Sequence, residues 1–502
     1  MNENLRRSAF LNSITSIIDY VAKMGVGFIL NPIMVGVLGP IYFGAWQVIS
    51  QLNSYMATAD IRAATSLKFI LSRDRSVKNK LELKQAVSAA LYSNLVFIPF
   101  YLLLGTFIVW FAPILAGIEL PYFYTVRVAS AFLVFSFIVT QFFFLFESTL
   151  HGMNLSYKRI GIRAIIIILG GIATAAVLYL DYGIIGMAIV QVIIASVIGL
   201  SFWWIVKKYI PWFEFVKVHK KKVISFIKLS VWYMLLKLSD LLSQSIDMIL
   251  LGFLAGPKYV AVYAISKYFM MATSGIVRTV SSSALIGISK FIGEKKHEKL
   301  IEARSQLVSI QWILIIIGGS LVCLYNESFV KVWTEDNFFV GQIETLFIVL
   351  IALVTVICQV DSGIINATLN VKKKIGLTLI SALISIGLSF ILVPELNTLG
   401  MLISILIGIL FLSFSNTFLV MKITTYKDVF KDLYLSRIAL VGIIIIVTSS
   451  GFSKYIHINS WFTLFYSVLV AVIILSMLTW FIGMNSKQRT LIYNTIQKIK
   501  NK

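Results

Sequence analysis

Five basic residues lie well inside long apolar stretches of the chain: Lys23, Arg62, Lys237, Lys267 and Arg278. Ammonium and guanidinium groups are the usual protein partners of phosphate and similar anions. Because a charge inside a membrane is costly, such a side chain is expected to face the bundle interior or a water-filled cavity. The five residues therefore predict a cavity that binds an anionic substrate.

Acidic residues share these apolar stretches and are candidates to carry the proton or sodium ion that couples transport. Two of them also stand at pairing distance from a basic residue on the same helix, Asp19 with Lys23 and Asp240 with Lys237. Structural pairing and cavity lining both stay open for these pairs. The ion-coupling candidates are Asp19, Asp60, Glu147, Asp240, Asp247 and Asp361.

Helical spacing collects the charged residues into three polar stripes. Steps of three, four and seven residues return to the same face of a helix, so each stripe predicts one polar face. The stripes contain Asn12, Ser16, Asp19 and Lys23; Lys237, Asp240, Gln244 and Asp247; and Tyr263, Lys267, Ser274 and Arg278.

The three stripes lie on apolar stretches of the chain. About fourteen such stretches are long enough to cross a bilayer as helices. The hydrocarbon core is about 30 Å thick, which about 20 helical residues cross. The mean hydropathy of +0.90, with 59% hydrophobic and 13% charged residues, excludes a soluble domain of 502 residues. Since every backbone polar group must be satisfied in lipid, the sequence predicts an all-α polytopic membrane protein. The predicted spans are 10–36, 42–70, 86–112, 125–150, 160–180, 183–206, 226–252, 259–286, 305–325, 342–366, 375–393, 398–420, 437–454 and 461–483.

The connecting segments carry their positive charge on one side. Of the 44 Lys and Arg residues, 34 fall in alternate connections and the two termini, and only four fall in the opposite set. The positive-inside rule places both termini in the cytoplasm, and the even number of spans agrees. The net charge of +22 is thereby explained by topology and contacts with anionic lipid, without a nucleic-acid partner.

Three pairs of short motifs indicate an internal duplication, because they recur in the same order and at nearly the same separation along the chain. Six spans in each half give both halves one orientation, as in transporters built from parallel repeats, and imply a transport path between the halves. The pairs are Gly39-Pro40 with Gly256-Pro257, Lys158-Arg159-Ile160-Gly161 with Lys373-Lys374-Ile375-Gly376, and Gly186-Met187 with Gly400-Met401.

The duplication divides the chain into two six-helix bundles and an additional pair of helices whose role the sequence does not decide. The predicted segments are an N-terminal bundle at 1–206, a cytoplasmic linker at 207–225, a C-terminal bundle at 226–420, a cytoplasmic loop at 421–436, the additional helix pair at 437–483 and a basic cytoplasmic tail at 484–502.

Enzymatic chemistry is not predicted. The chain has no Gly-rich loop that ends in Lys-Ser or Lys-Thr, and its connections are too short for a nucleotide-binding domain. Its two cysteines, Cys323 and Cys358, lie alone in apolar stretches without metal-site spacing. We expect no catalytic residues, no cofactor, no metal and no nucleic-acid partner.

Two segments carry a resemblance to a known family. Leu38-Gly39-Pro40-Ile41-Tyr42-Phe43-Gly44-Ala45-Trp46, followed by Asp60, looks like the corresponding region of the polysaccharide repeat-unit (O-antigen) flippases. Asp247-Met248-Ile249-Leu250-Leu251-Gly252, followed by Gly256 and Tyr263-Ala264-Ile265-Ser266, is similar to their second half. These flippases belong to the multidrug/oligosaccharidyl-lipid/polysaccharide (MOP) exporter superfamily.

The resemblance implies a fold like that of the multidrug and toxin extrusion (MATE) transporters, with two six-helix bundles around a central V-shaped cavity and alternating access. It also implies the substrate, an oligosaccharide repeat unit on undecaprenyl pyrophosphate, flipped across the bacterial inner membrane for O-antigen or capsule biosynthesis. Basic residues are thought to line that cavity, and Lys23, Lys237, Lys267 and Arg278 are candidates by position. Membrane lipids, a polysaccharide polymerase and a chain-length regulator are the expected partners.

Three alternatives stay open. A cation-coupled multidrug antiporter predicts an acidic rather than a basic cavity, and a peptidoglycan-precursor (lipid II) flippase shares the fourteen spans and the basic cavity. A non-transporting scaffold of an envelope-assembly complex would need no continuous polar path, which the three stripes oppose.

Overall fold

The computed structural model describes residues 3–59, 67, 71, 80–159, 161–221, 223, 224, 227, 241, 246–294, 296–334, 338–368, 372–424, 436–484 and 489. The described part contains twelve α-helices, and all of them except the nine-residue sixth are long and apolar enough to cross a membrane. The helices are α1 (Glu3–Ala59), α2 (Lys80–Leu115), α3 (Phe123–Gly152), α4 (Ile162–Tyr179), α5 (Gly183–Tyr209), α6 (Asp247–Ala255), α7 (Pro257–Gly293), α8 (His297–Thr334), α9 (Gln342–Ala367), α10 (Lys372–Thr424), α11 (Arg437–Phe452) and α12 (Trp461–Leu478).

The predicted all-α membrane fold is confirmed, and most predicted spans coincide with these helices. α1 and α10 each cover two predicted spans and contain one non-helical residue where the spans were separated, Gly39 in α1 and Asn397 in α10. Most of the predicted span 226–252 lies outside the described residues, so the count of fourteen stays a prediction.

The chain forms two compact units, residues 1–260 and residues 261–502. In the first unit α3 packs along α5 and α2, and α4 packs against α1 and α5. The core where α2, α3 and α5 meet contains Val87, Leu145, Phe146, Phe202 and Ile205. The short helix α6 also belongs to this unit, where it contacts α1 and α2, whereas the predicted boundaries assign it to the C-terminal bundle. Those boundaries stay a prediction.

In the second unit α8 is the central element, because α9, α11 and α12 all pack against it. Hydrogen bonds attach both additional helices: Gln342 Nε2 donates to the Ser450 carbonyl at 3.3 Å and to the Ser450 hydroxyl at 3.1 Å, and the Tyr325 hydroxyl donates to the Ser467 carbonyl at 3.1 Å. In this unit, therefore, the additional helix pair is a packing layer on α8 and α9.

The backbone repeats at the positions of the duplicated motifs. Gly39 and Gly256 both have positive φ, at 69° and 96°, and each precedes the proline that starts the next helical segment. Gly183 and Asn397, each just before the Gly-Met motif of its half, both have positive φ as well, at 53° and 47°. Because positive φ is unfavourable for most L residues, these matched turns support the duplication inferred from sequence.

Candidate functional site

A buried arginine organises a charged cluster in the first unit. Arg159 ends a short 3₁₀ helix at Ser156–Arg159, just before Gly161 turns the chain into α4 with a φ of 77°. Its side chain points inward, and the residue is only 4% exposed. The guanidinium also lies over the ring of Phe202 on α5, 5.2 Å from the centroid. The short helix thus delivers a cation into the interior of the unit.

Two carboxylates surround this guanidinium. Arg159 Nη1 donates to Asp19 Oδ2 on α1 at 3.1 Å, and Arg159 Nη2 lies 3.5 Å from Glu147 Oε1 on α3. Arg163 on α4 donates to the same oxygen of Glu147 at 3.0 Å, and His151 Nε2 lies 3.7 Å from it. Apart from His151, two positive and two negative charges balance. The cluster therefore joins α1, α3 and α4 through ion pairs.

The cluster is not fully satisfied. Asp19 Oδ1 and Arg159 Nε are both buried, and neither has a hydrogen-bond partner among the described residues. A buried carboxylate oxygen without a donor can take up a proton at lower cost than one that accepts several hydrogen bonds. Asp19 is thus the carboxylate of this cluster best suited to change its protonation state.

A second buried ion pair lies in the second unit. Arg304 on α8 donates to Asp361 on α9 through two parallel hydrogen bonds, Nε to Oδ1 at 2.6 Å and Nη2 to Oδ2 at 2.9 Å. Thr417 on α10 donates its hydroxyl to Asp361 Oδ2 at 2.9 Å. Arg304 and Asp361 are 3% and 1% exposed, so this bidentate pair is dry and joins three helices.

Lys374 adds a further buried cation to the second unit. It lies in the first turn of α10, is 1% exposed, and donates to Asn366 Oδ1 on α9 at 3.1 Å. It occupies the position in the second copy of the duplicated motif that Arg159 occupies in the first. Each unit therefore buries a basic side chain at the second position of the duplicated motif, where the next long helix begins.

Sequence analysis missed the role of these three basic residues. Arg159, Arg304 and Lys374 were counted among the charges of the connecting segments, although all three are buried. The positive-inside rule counts charge and contains no information on burial. The signal that could have found two of them is the repeat, because Arg159 and Lys374 align within the duplicated motif.

The described members of the predicted anion-binding set are accessible. Lys23 and Arg278 are exposed, and Lys267 is partly exposed with its Nζ 4.9 Å from the centroid of the Tyr263 ring. Lys23 forms no ion pair with any described residue, whereas its neighbour Asp19 pairs with Arg159. Arg62 and Lys237 lie outside the described residues.

The predicted ion-coupling residues have different environments. Asp19, Glu147 and Asp361 each pair with an arginine. Asp247 is buried at the start of α6, where its Oδ1 accepts from the Met248 amide at 3.0 Å. Asp60 and Asp240 lie outside the described residues. Within the described part of the chain, no group of three His, Cys, Asp or Glu residues could hold a metal ion.

Comparison with protein families assigns the sequence to a known group. The family described as Polysaccharide biosynthesis protein matches residues 10–290, more than half of the chain. The chain belongs to that family. The MatE family also matches, over residues 234–391, which places this polysaccharide flippase family member in the MOP superfamily.

Solved structures share the fold of this family member at low sequence identity. "Lipid II flippase MurJ, inward closed conformation" aligns with a TM-score of 0.68 and 16% identity, covering 93% of this chain and 98% of that one. An inward-facing multidrug resistance MATE family transporter of the MOP superfamily aligns at 0.62 and 17% identity, covering 82% and 98%. A Pyrococcus furiosus MOP superfamily transporter with "reverse polarity of binding pocket" aligns at 0.50 and 17% identity, covering 84% and 95%.

A comparison with curated protein sequences finds no match. The solved neighbours are transporters and flippases, and family and fold together identify the chain as a multi-pass membrane flippase or transporter of the MOP type.

Proposed function

We propose that this protein flips an undecaprenyl-pyrophosphate-linked oligosaccharide repeat unit across the bacterial inner membrane, by alternating access. The observation that carries the proposal is the family match to Polysaccharide biosynthesis protein over residues 10–290. The product serves a surface polysaccharide such as O-antigen or capsule. Both termini lie in the cytoplasm, where the positive-inside rule places them.

Basic residues hold the pyrophosphate in this proposal. Lys23, Lys267 and Arg278 are accessible cations on α1 and α7, and Arg62 and Lys237 complete the set by sequence. An ammonium or guanidinium group neutralises the charge that pyrophosphate would otherwise carry into a medium of low dielectric constant. A polysaccharide polymerase and a chain-length regulator would then use the flipped product.

An ion gradient drives the cycle in this proposal, and Asp19 is the strongest of the six acidic candidates. Its Oδ1 is buried without a partner among the described residues, while its Oδ2 accepts from Arg159. Protonation of Asp19 would remove the charge that holds Arg159 and weaken the link between α1 and the 3₁₀ helix at Ser156–Arg159. The other candidates are Asp60, Glu147, Asp240, Asp247 and Asp361.

The test is the leaflet accessibility of the lipid-linked repeat unit in cells that lack this protein and any redundant flippase. Repeat units should accumulate on the cytoplasmic face, and the intact chain should restore translocation. Arg278→Ala and Lys267→Ala should each fail to restore it, whereas Lys454→Ala, which removes a cation of the opposite connections, should succeed. Normal translocation without the protein would refute the proposal.

A lipid II flippase is the second candidate, because the MurJ structure aligns over 93% of this chain. Expression in cells depleted of their lipid II flippase separates the two. Rescue of growth favours lipid II, and failure of rescue together with restored repeat-unit translocation favours the oligosaccharide. Protection against cationic drugs, lost in Asp19→Asn, would instead identify a multidrug antiporter.

A further inference from the structure

Two lysines of the first unit converge on one aromatic ring. Lys158 Nζ lies 4.5 Å from the centroid of the Tyr209 ring, and Lys208 Nζ lies 5.7 Å from the same centroid. Lys208 Nζ also lies 4.8 Å from the Trp204 ring. Lys158 comes from the 3₁₀ helix at Ser156–Arg159, and the other three residues come from the end of α5. Two separate elements thus bring two ammonium groups against the same ring.

No carboxylate neutralises this pair among the described residues. Glu214, which follows α5 in the chain, is bonded to Lys84, with Nζ to Oε2 at 2.6 Å. Ring faces and the negative end of a helix dipole attract cations, which accounts for how Lys158 and Lys208 are held. Their mutual repulsion remains, and an anion between them would relieve it.

The surface of α5 indicates the depth of this pair in a membrane. Exposed apolar side chains, Val197 and Leu200, come first along the helix. The exposed indole of Trp204 follows, and the lysines and Tyr209 come after it. A helix that passes from the hydrocarbon core into the headgroup region carries apolar residues first, then aromatic residues, and then basic residues. The two ammonium groups therefore lie at the level of lipid phosphates.

We propose that Lys158, Lys208, Trp204 and Tyr209 bind the phosphate of an anionic phospholipid headgroup on the first unit. The site is independent of substrate flipping, because none of its four residues belongs to the predicted substrate-binding or ion-coupling sets. Charge complementarity selects an anionic lipid, and the aromatic rings fix both the depth and the position of the lysines.

The experiment is native mass spectrometry of the full chain released from nanodiscs that contain equal amounts of phosphatidylglycerol and phosphatidylcholine with the same acyl chains. The intact protein should retain phosphatidylglycerol preferentially. Each lysine near an anionic surface contributes about fivefold in affinity, so Lys158→Gln with Lys208→Gln should lower the affinity of this site for phosphatidylglycerol by about 25-fold and remove the corresponding bound lipid from the spectrum. Lys158→Arg with Lys208→Arg should restore retention, which separates a binding defect from misfolding.

Lys422→Gln is the matched control, because Lys422 Nζ lies 4.5 Å from the Phe418 ring at the end of α10 and is the one lysine among the described residues on that ring. Equal losses in this control and in the double variant would overturn the proposal, as would unchanged retention in the double variant. Free inorganic pyrophosphate is added in a separate arm. Displacement of phosphatidylglycerol by millimolar pyrophosphate would assign the site to soluble or substrate phosphate and overturn the lipid headgroup as its ligand.

Discussion

Replacing Asp361 with asparagine should destabilise the second unit by about 3–5 kcal/mol, since removing one partner leaves a buried charge uncompensated. The carboxylate accepts two hydrogen bonds from Arg304, at 2.6 and 2.9 Å, and one from Thr417 at 2.9 Å. Thr417→Val loses only one hydrogen bond to the carboxylate and should cost about 1.5–3 kcal/mol. The difference between these two variants isolates the contribution of the charge.

The assay is SDS-induced unfolding in mixed micelles, followed by tryptophan fluorescence. Glu327→Gln is the control, because it breaks an exposed ion pair with Lys331 at 2.7 Å in the same unit. An exposed pair of this spacing contributes about 0.5 kcal/mol. If Asp361→Asn and Glu327→Gln lower the free energy of unfolding by similar amounts, the prediction is refuted, because burial of the ion pair would then make no difference to its contribution.

The double variant Arg304→Leu with Asp361→Leu extends the test to function. Because apolar residues of similar size replace a buried ion pair at little cost, its stability should return to within about 1 kcal/mol of the intact protein. If repeat-unit translocation returns as well, Asp361 does not carry the coupling ion. If stability returns without translocation, the Arg304–Asp361 pair is required for transport, which is consistent with Asp361 as an ion-coupling candidate.

Three further predictions concern the first unit. Gly44→Ala should destabilise it by about 3 kcal/mol in the same SDS assay, because a Cβ would collide with the Pro257 backbone; an unchanged midpoint would contradict that packing. Arg159→Gln should lower the free energy of unfolding by about 3 kcal/mol, and with it the unfolding midpoint, because two buried carboxylates lose a positive charge that neutralises them. A variant as stable as the intact protein would show that the cluster is solvated. The hydrogen bond from Lys84 lowers the pKa of Glu214. The ion pair that attaches segment 210–219 is therefore intact at pH values above the ordinary pKa of glutamate, and it weakens as pH falls from about 5 to 3. The protection factors of that segment, which correct for the intrinsic exchange rate at each pH, should therefore fall over this range in the intact protein, but should start lower and change little with pH in Glu214→Gln.

Much of the fold was predictable, because lipid permits few structures. The length and apolar character of the spans located most helices within a few residues, and the duplicated Gly-Pro motif marked the turns at Gly39 and Gly256. The helices that the structure merges, α1 and α10, are interrupted at single residues where the sequence predicts separate spans.

The sequence shows which positions carry a charge in the apolar stretches, but it does not show which of these charged residues form ion pairs with one another. Asp19 was a candidate by sequence, but its nearest predicted partner was Lys23, one turn along the same helix, whereas its actual partner, Arg159, comes from the distant 3₁₀ helix before α4. Arg304 and Asp361 likewise lie on different helices, α8 and α9. Helical spacing describes one helix at a time, so pairing between helices depends on tertiary packing that the sequence pattern does not specify.

The position of α6 bears on how the protein is made. Gly252 packs so closely on the end of α2 that a Cβ there would lie 2.9 Å from the Leu115 carbonyl oxygen, and α6 also contacts α1. During synthesis the ribosome must therefore extend past residue 255 before the surface formed by α1 and α2 is covered. A nascent chain stopped at residue 206, after six predicted spans, would present that surface uncovered to the insertion machinery, so the first duplicated half completes its packing only with residues that follow it.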